Sequence, residues 1–277
     1  MALSAREEKV WRALEAWEET YFEYEMTDFE ATYERFVQQQ LARINPSLLQ
    51  KMNEKMDGIL FHVHALIQNS SYQKDVRDKL LTSGRIFHGD IEDIEDMKKC
   101  SIDQLTYIAQ QQIARNRLLS LAQGGLSGTG GLLFLGLDIP AMIALQIRSI
   151  QYIAMNYGYD IHRPAEMMMS LKVFHAATLP KRYQHESWNE LMQEIANQEY
   201  DPFFYEGEEV IADVAWLAMP LKQGVKAVVL SLLKKKAVQG IPLLGVVFGA
   251  GINYQKAREV TEFAHKFYQK RYLVEKM

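Results

Sequence analysis

Apolar residues recur at helical spacing along almost the whole chain, and this pattern is the strongest constraint on its fold. Strand-like alternation is absent apart from a short ambiguous run at 227–232. Helix boundaries are also marked. Ser4 and Glu7 have the spacing of a capping box, and Pro164 fits the first turn of a helix expected to end near Thr178. The sequence therefore predicts an all-α protein, a multi-helix globular bundle.

Glycine and proline residues mark the expected ends of the long central helices. Ser101 is expected to cap a helix that Gly124 and Gly125 stop, because glycine is favoured just past a helix end. Asp138 is expected to cap the next helix, with Pro140 in its first turn, where the missing amide proton costs nothing. The glycine-rich run is therefore predicted to separate two helices.

Two apolar segments rich in glycine, 132–147 with the run before it and 241–252, are expected to form helical hairpins. A last long helix is expected to begin at about Pro242 or Gly249, within the second segment, and to end at Val274. Glycines have no side chain and let two helices approach closely. The glycines expected to make such contacts are Gly124, Gly125, Gly128, Gly130, Gly131, Gly245 and Gly249.

Neither apolar segment reaches the roughly 18 consecutive apolar residues of a membrane-spanning helix. Asp138 interrupts the first, and an ionised carboxylate in lipid costs on the order of several kcal/mol. Both are therefore expected to be buried core or interfacial hairpins, and a membrane-inserted minority state stays open. Lys234, Lys235 and Lys236 directly precede the second segment, either as membrane-facing residues or as solvated side chains.

Charge is distributed unevenly along the chain. Residues 1–50 carry 5 basic and 10 acidic side chains, whereas residues 221–277 carry 11 basic and 3 acidic ones. The basic tail is expected either to face an anionic surface or to dock on the acidic head of the same molecule. The net charge of −4 for the whole chain excludes a strongly basic nucleic-acid binder.

The 277 residues are enough for one large domain or two small ones, at about 150 residues per domain. Residues 1–69 are predicted to form acidic, aromatic-rich helices. Residues 70–277 are predicted to form a helical core with a basic C-terminal helix. The aromatic stripe near the start of the chain is expected to be either core or an exposed docking face. Its members are Trp11, Trp17, Tyr21 and Phe22.

The chain contains no motif of an enzyme, a metal site or a cofactor site. Its glycine run lacks the Lys-Ser/Thr pair of a phosphate-binding loop, and its histidines form no His-Glu-x-x-His pattern. Cys100, the single cysteine, excludes an internal disulfide and fits a reducing compartment. The first residues lack the features of a secretory signal. We therefore expect a non-enzymatic cytoplasmic protein without a metal or cofactor.

Four polar residues stand out in or beside an otherwise apolar helix: Asp138, Arg148, Tyr157 and Asp160. A buried arginine is rarely unpaired, so Arg148 is expected to pair with Asp138, Asp160 or Asp213. Ionisable groups among apolar helices are also a setting in which pKa values shift. The alternative function is therefore a hydrolase or small-ligand site at this candidate buried polar cluster.

Several of these residues also carry a resemblance to a known family. The chain resembles the EcsC family in a combination of motifs that covers roughly residues 70–275. The matching motifs are Gly128-x-Gly130-Gly131, then Asp138-Ile139-Pro140-Ala141, then Arg148-x-Ile150 through Tyr157-Gly158-Tyr159-Asp160, and finally Pro242-x-x-Gly245 through Asn253-Tyr254 and Arg271-Tyr272.

The resemblance implies a cellular neighbourhood rather than a reaction. The family is named for a protein encoded beside the ATPase and membrane subunits of a bacterial ABC transporter that affects exoprotein secretion and competence. It implies an accessory protein that docks on a membrane protein, such as a transporter subunit, or on the anionic inner leaflet. The expected location is the cytoplasm, peripheral at the inner face of the cell membrane.

Overall fold

The computed structural model describes residues 3–23, 71–127, 132–196 and 243–277. Within these ranges the chain forms seven α-helices, one short 3₁₀ helix and no strand, so the all-α fold class is confirmed. The α-helices are α1 (Ala5–Phe22), α2 (Ser71–Arg85), α3 (Ile102–Ser127), α4 (Leu132–Asn156), α5 (Pro164–Thr178), α6 (Lys181–Ala196) and α7 (Leu243–Val274), and the 3₁₀ helix is Glu95–Lys99.

Local sequence signals set several helix ends as predicted. The Ser4 side chain accepts a hydrogen bond from the Glu7 amide, and the Ser4 amide donates to the Glu7 carboxylate at 2.9 Å, which completes a capping box. α5 begins at Pro164 and ends at Thr178, and α7 ends at Val274. These ends are determined within a few residues of the chain, so the sequence is sufficient to predict them.

The helix ends predicted around the first glycine run are wrong. Gly124 and Gly125 lie inside α3, which continues to Ser127, and Asp138 and Pro140 lie inside α4, which begins at Leu132. A glycine within a helix costs only about 1 kcal/mol relative to alanine, and a proline removes one backbone hydrogen bond. α4 therefore continues through both local helix-start signals, Asp138 and Pro140, although an interior proline costs about 3 kcal/mol.

The glycine-rich hairpins are not confirmed. Gly245 and Gly249 lie in the first turns of α7, and Gly124 and Gly125 in the last turns of α3. Gly128, Gly130 and Gly131 lie outside the described residues, as do Lys234, Lys235 and Lys236. The predicted domain boundary at residue 69 falls outside them as well.

Three long helices form the centre of the fold. α3 and α7 run antiparallel, because Gln269 donates to Thr106 at one end and Arg117 donates to Thr261 further along. α4 runs antiparallel to α3, since Asn156 on α4 donates to the Leu105 carbonyl near the start of α3. The C-terminal end of α3 and the N-terminal ends of α4 and α7 therefore lie at the same end of the molecule.

The core between the helices is aromatic. Trp188 of α6 packs edge-on against Phe263 of α7, and Phe267 lies edge-on to Tyr268. α1 covers α6 and α7 with Leu14, which is buried, and with the partly buried aromatic stripe predicted from the sequence. The stripe therefore contributes to the core, which was one of its two predicted roles.

Candidate functional site

Tyr157 of the candidate buried polar cluster lies just past the end of α4, fully buried, with its hydroxyl 2.9 Å from Nε2 of His265 on α7. Burial raises the pKa of Tyr157 well above its ordinary value. Burial, with help from Lys266 and Arg117, lowers the pKa of His265 to about 3. Both groups are neutral near pH 7, so they form a hydrogen-bonded pair that joins α4 to α7.

Asp160 makes a second and separate set of contacts. Its carboxylate accepts hydrogen bonds from the Arg77 guanidinium at 3.0 Å and from both the backbone amide and the ring of His162. Burial opposes ionisation, but the His162 and Arg77 contacts outweigh it and hold the pKa of Asp160 far below its usual range. Asp160 thus ties α2 to the turn between α4 and α5.

Tyr157 and Asp160 therefore contact different groups: the Tyr157 hydroxyl meets His265, and the Asp160 carboxylate meets Arg77 and His162. Arg148 is half-buried on α4. The side chain of Asp138 and all of Asp213 lie outside the described part of the chain. Arg77 and His265 are the partners that the sequence analysis missed, because each lies more than 80 residues away from the group it contacts.

Exposed apolar side chains collect toward one end of α3. Leu118 is 63% exposed, Leu119 44% and Leu121 40%, and Tyr254 near the start of α7 is also exposed. Scattered exposed leucines are ordinary on protein surfaces, but contiguous ones mark interaction sites. We call this region the apolar end, and define it as residues 114–127 of α3, 132–145 of α4 and 243–258 of α7.

The charges of the apolar end are almost all positive. By sequence it contains four basic residues, Arg115, Arg117, Lys256 and Arg258, and one acidic residue, Asp138. Arg115 and Arg258 are exposed, and Arg117 reaches across to α7 within 3.5 Å of the Arg258 carbonyl. Desolvation by burial lowers the pKa of Arg117 somewhat, but a guanidinium stays charged at neutral pH.

Two basic residues toward the C-terminal end of the chain form ion pairs with α1. Lys270 Nζ lies 2.7 Å from Glu18 Oε2, and Lys276 Nζ lies 2.7 Å from Glu7 Oε1. The Lys276 hydrogen bond is the main reason why the pKa of Glu7 falls to about 2. The predicted docking of the basic tail on the acidic head of the molecule is therefore seen for these pairs.

A groove of about 590 Å³ opens on the other half of α3. Ile86 and Phe87, just past the end of α2, form one side, and Tyr107 and Ile108 of α3 form the other. Ile86 and Tyr107 are well exposed. Among the described residues no cluster of three or more His, Cys, Asp and Glu side chains is arranged to hold a metal. Within the same ranges no helix is long and apolar enough to cross a membrane.

Comparison with known proteins identifies a family. The sequence model of the EcsC protein family matches residues 8–273. The chain is 26% identical over 251 residues to the uncharacterized protein YdbA of Bacillus subtilis (strain 168), an alignment that covers 86% of this chain and 84% of that protein. No solved structure matches the chain. The family match includes α1, which the sequence motifs had left outside the resemblance.

Proposed function

The chain belongs to the EcsC family, and from that premise we propose that it is a non-enzymatic accessory protein that docks on the anionic inner leaflet of a bacterial cell membrane. The observation that carries this proposal is the apolar end, where exposed Leu118, Leu119 and Leu121 adjoin the exposed guanidinium groups of Arg115 and Arg258. Exposed apolar side chains beside basic ones are the combination by which helices adsorb to anionic lipid.

The energies favour a lipid surface as the partner. Burying an exposed leucine side chain contributes about 1.5–3 kcal/mol, and each basic residue near an anionic leaflet contributes about 1 kcal/mol. Both terms act together at the apolar end, because Asp138 is its one acidic residue by sequence. An acidic protein surface would satisfy the arginines but would gain less from the leucines.

We also propose a place beside an ABC transporter, which the family resemblance supports. The protein that gave the family its name is encoded next to the ATPase and membrane subunits of such a transporter. A protein held at the inner leaflet is confined to the plane in which those membrane subunits lie, so docking would raise its local concentration near them. The candidate polar residues Tyr157 and Asp160 have partners inside the protein, which suits a role in holding the fold together.

Co-sedimentation with liposomes of graded anionic lipid content tests the proposal. At about 50 mM salt we expect binding that rises with anionic content, and at about 200 mM salt we expect it to weaken, because salt screens the charges. A double variant, Arg115→Glu with Arg258→Glu, is expected to lose at least about tenfold in affinity, since each arginine contributes about 1 kcal/mol and its replacement is repelled. A Lys234/Lys235/Lys236→Ala variant tests the lysines beside the second apolar segment.

The matched control changes the same charges elsewhere on the surface. Arg12 of α1 and Lys79 of α2 are exposed and belong to helices that pack away from the apolar end. The double variant Arg12→Glu with Lys79→Glu should bind anionic liposomes nearly as well as the natural sequence. Absence of binding at about 50 mM salt would overturn lipid docking. An equal loss in the control would also overturn it, because net charge rather than the apolar end would then explain the binding.

A further inference from the structure

The three central helices reach the apolar end with long uncharged segments. In α3 no charged residue follows Arg117 up to Ser127, and in α7 none precedes Lys256 from Leu243 onward. The first fourteen residues of α4, 132–145, contain one charge, Asp138. The directions of the three helices place these segments at one end of the described bundle, so by sequence this end of α3, α4 and α7 carries almost no charge.

The basic residues lie at nearly the same height along the helix axes, where the uncharged segments begin. Arg117 donates to Thr261 Oγ1 at 3.1 Å and lies 3.5 Å from the Arg258 carbonyl, so the arginines of α3 and α7 share a level along the bundle. A buried polar contact between α3 and α4 occurs at the same level, where Asn116 donates to Ser149 Oγ at 3.0 Å.

The length of the uncharged segments matches one leaflet. At 1.5 Å per residue, the ten residues after Arg117 in α3 extend about 15 Å, and the thirteen residues before Lys256 in α7 extend about 20 Å. The hydrocarbon core of a bilayer is about 30 Å thick, so one leaflet supplies about 15 Å. The segments are therefore long enough to enter one leaflet and too short to cross the bilayer.

We propose that the apolar end inserts into a single leaflet of an anionic bilayer, with Arg115, Arg117 and Arg258 at the level of the phosphate groups. This inference rests on the proposed docking function and adds depth and orientation to it. Arginine guanidinium groups pair with phosphate oxygens in two parallel hydrogen bonds, which suits them to this level. The inserted part comprises the last turns of α3 and the first turns of α4 and α7.

Asp138 limits how readily the end inserts. It lies two turns into α4, within the segment that would enter the hydrocarbon. A carboxylate is unfavourable in lipid, whereas an amide of the same shape carries no charge. Asp138→Asn is therefore expected to raise affinity for anionic vesicles on the order of tenfold, and the gain should persist at about 200 mM salt, because the cost of burying a carboxylate in hydrocarbon is not screened by salt. At a surface that only adsorbs through its arginines, the gain would come from relief of charge repulsion and would shrink at that salt concentration.

Site-specific labels measure the depth of insertion. Cys100 is buried, so a cysteine placed on the surface is the accessible thiol for labelling. In the Leu121→Cys variant, the new thiol holds an environment-sensitive fluorophore at the apolar end. Tyr107→Cys carries the same label on nearly the same face of α3, fourteen residues or about 21 Å away. Vesicles with a bromine-labelled lipid acyl chain quench fluorophores that lie within the hydrocarbon.

The expected result is strong quenching and a blue shift for the label at 121 on anionic vesicles, with neither change for the label at 107. If the protein co-sediments with these vesicles while the label at 121 remains in water, insertion is overturned and docking at the surface stands. If the protein does not bind the vesicles at all, the proposed function itself fails. Equal quenching at 107 and 121 would overturn the orientation, because both ends of α3 would then contact lipid.

Discussion

The most deeply buried charges of the described chain form one ion pair, Glu166 with Arg271. The Arg271 guanidinium donates two hydrogen bonds of 2.8 Å to the Glu166 carboxylate, and the exposed fractions of the two side chains are 4% and 6%. The Arg271 guanidinium also lies 3.8 Å from the centre of the Tyr159 ring. This ion pair holds α5 against α7, and it stabilises the folded protein only when both charged partners are present.

Removing one partner of this pair should destabilise the protein more than removing both. Arg271→Met leaves the Glu166 carboxylate buried without its bidentate partner, so we expect a loss of about 3–5 kcal/mol in the free energy of unfolding. Adding Glu166→Gln should recover part of that loss, since no buried charge then remains at the pair. Urea denaturation of the two variants measures the difference. Equal stability of the single and the double variant would contradict this account.

At the scale of elements, α1 is held on α7 by aromatic packing and by ion pairs. Tyr21 of α1 packs against Phe263 of α7 with ring centres 6.3 Å apart, and Trp17 donates its indole N–H to Glu262 at 3.1 Å. Lys270 and Lys276 of α7 pair with carboxylates of α1. The acidic composition of the first helix and the basic composition of the last therefore meet inside one molecule.

The docking of α1 should depend on pH through Glu7. Its pKa is about 2 in the folded protein against an ordinary value of 4.5, so its stabilising contribution is complete above about pH 4.5. The contribution is lost as the pH falls from there toward 2. We therefore expect Glu7→Gln to reduce stability to urea at pH 7 and to have progressively less effect below pH 4.5. Glu8→Gln, one residue along the same helix, is the control and should change little at either pH.

At the scale of the whole molecule, the described residues at the two ends of the bundle differ in kind. One end is connected by hydrogen bonds and ion pairs between distant parts of the chain, among them Tyr272 with the Cys100 carbonyl and Lys98 with Glu275. The apolar end carries exposed leucines, and Arg117 contacts the Arg258 carbonyl at its base. The proposed insertion uses this difference to orient the molecule at a membrane surface.

Hydrogen exchange with and without anionic vesicles should report that orientation. Insertion removes water from the backbone of the apolar end, so peptides from 114–127 and 243–258 are expected to exchange more slowly in the presence of vesicles. Peptides covering 90–105 lie at the opposite end and should exchange at an unchanged rate. Slower exchange at 90–105, with none at the apolar end, would mean that the molecule meets the membrane the other way round.

The sequence by itself was sufficient for the fold class and for the helix ends that local chemistry sets. The capping box at Ser4 and the limits of α5 depend on groups within a few residues, so their signals are complete in the sequence. The continuation of helix through Gly124 and through Asp138 could not be predicted from such local signals. There the helix continues despite an unfavourable residue, because its neighbours along the chain and in space outweigh a local preference.

Only the tertiary structure decided which polar groups meet. Asp160 pairs with Arg77 and Tyr157 with His265, across 83 and 108 residues of chain, and no spacing in the sequence specifies such partners. The closeness of Arg117 to Arg258 also depends on the tertiary structure, because α3 and α7 must run antiparallel before Arg117 reaches α7. Residue type and periodicity determine what each segment forms, whereas the packing of the helices determines which segments share an end.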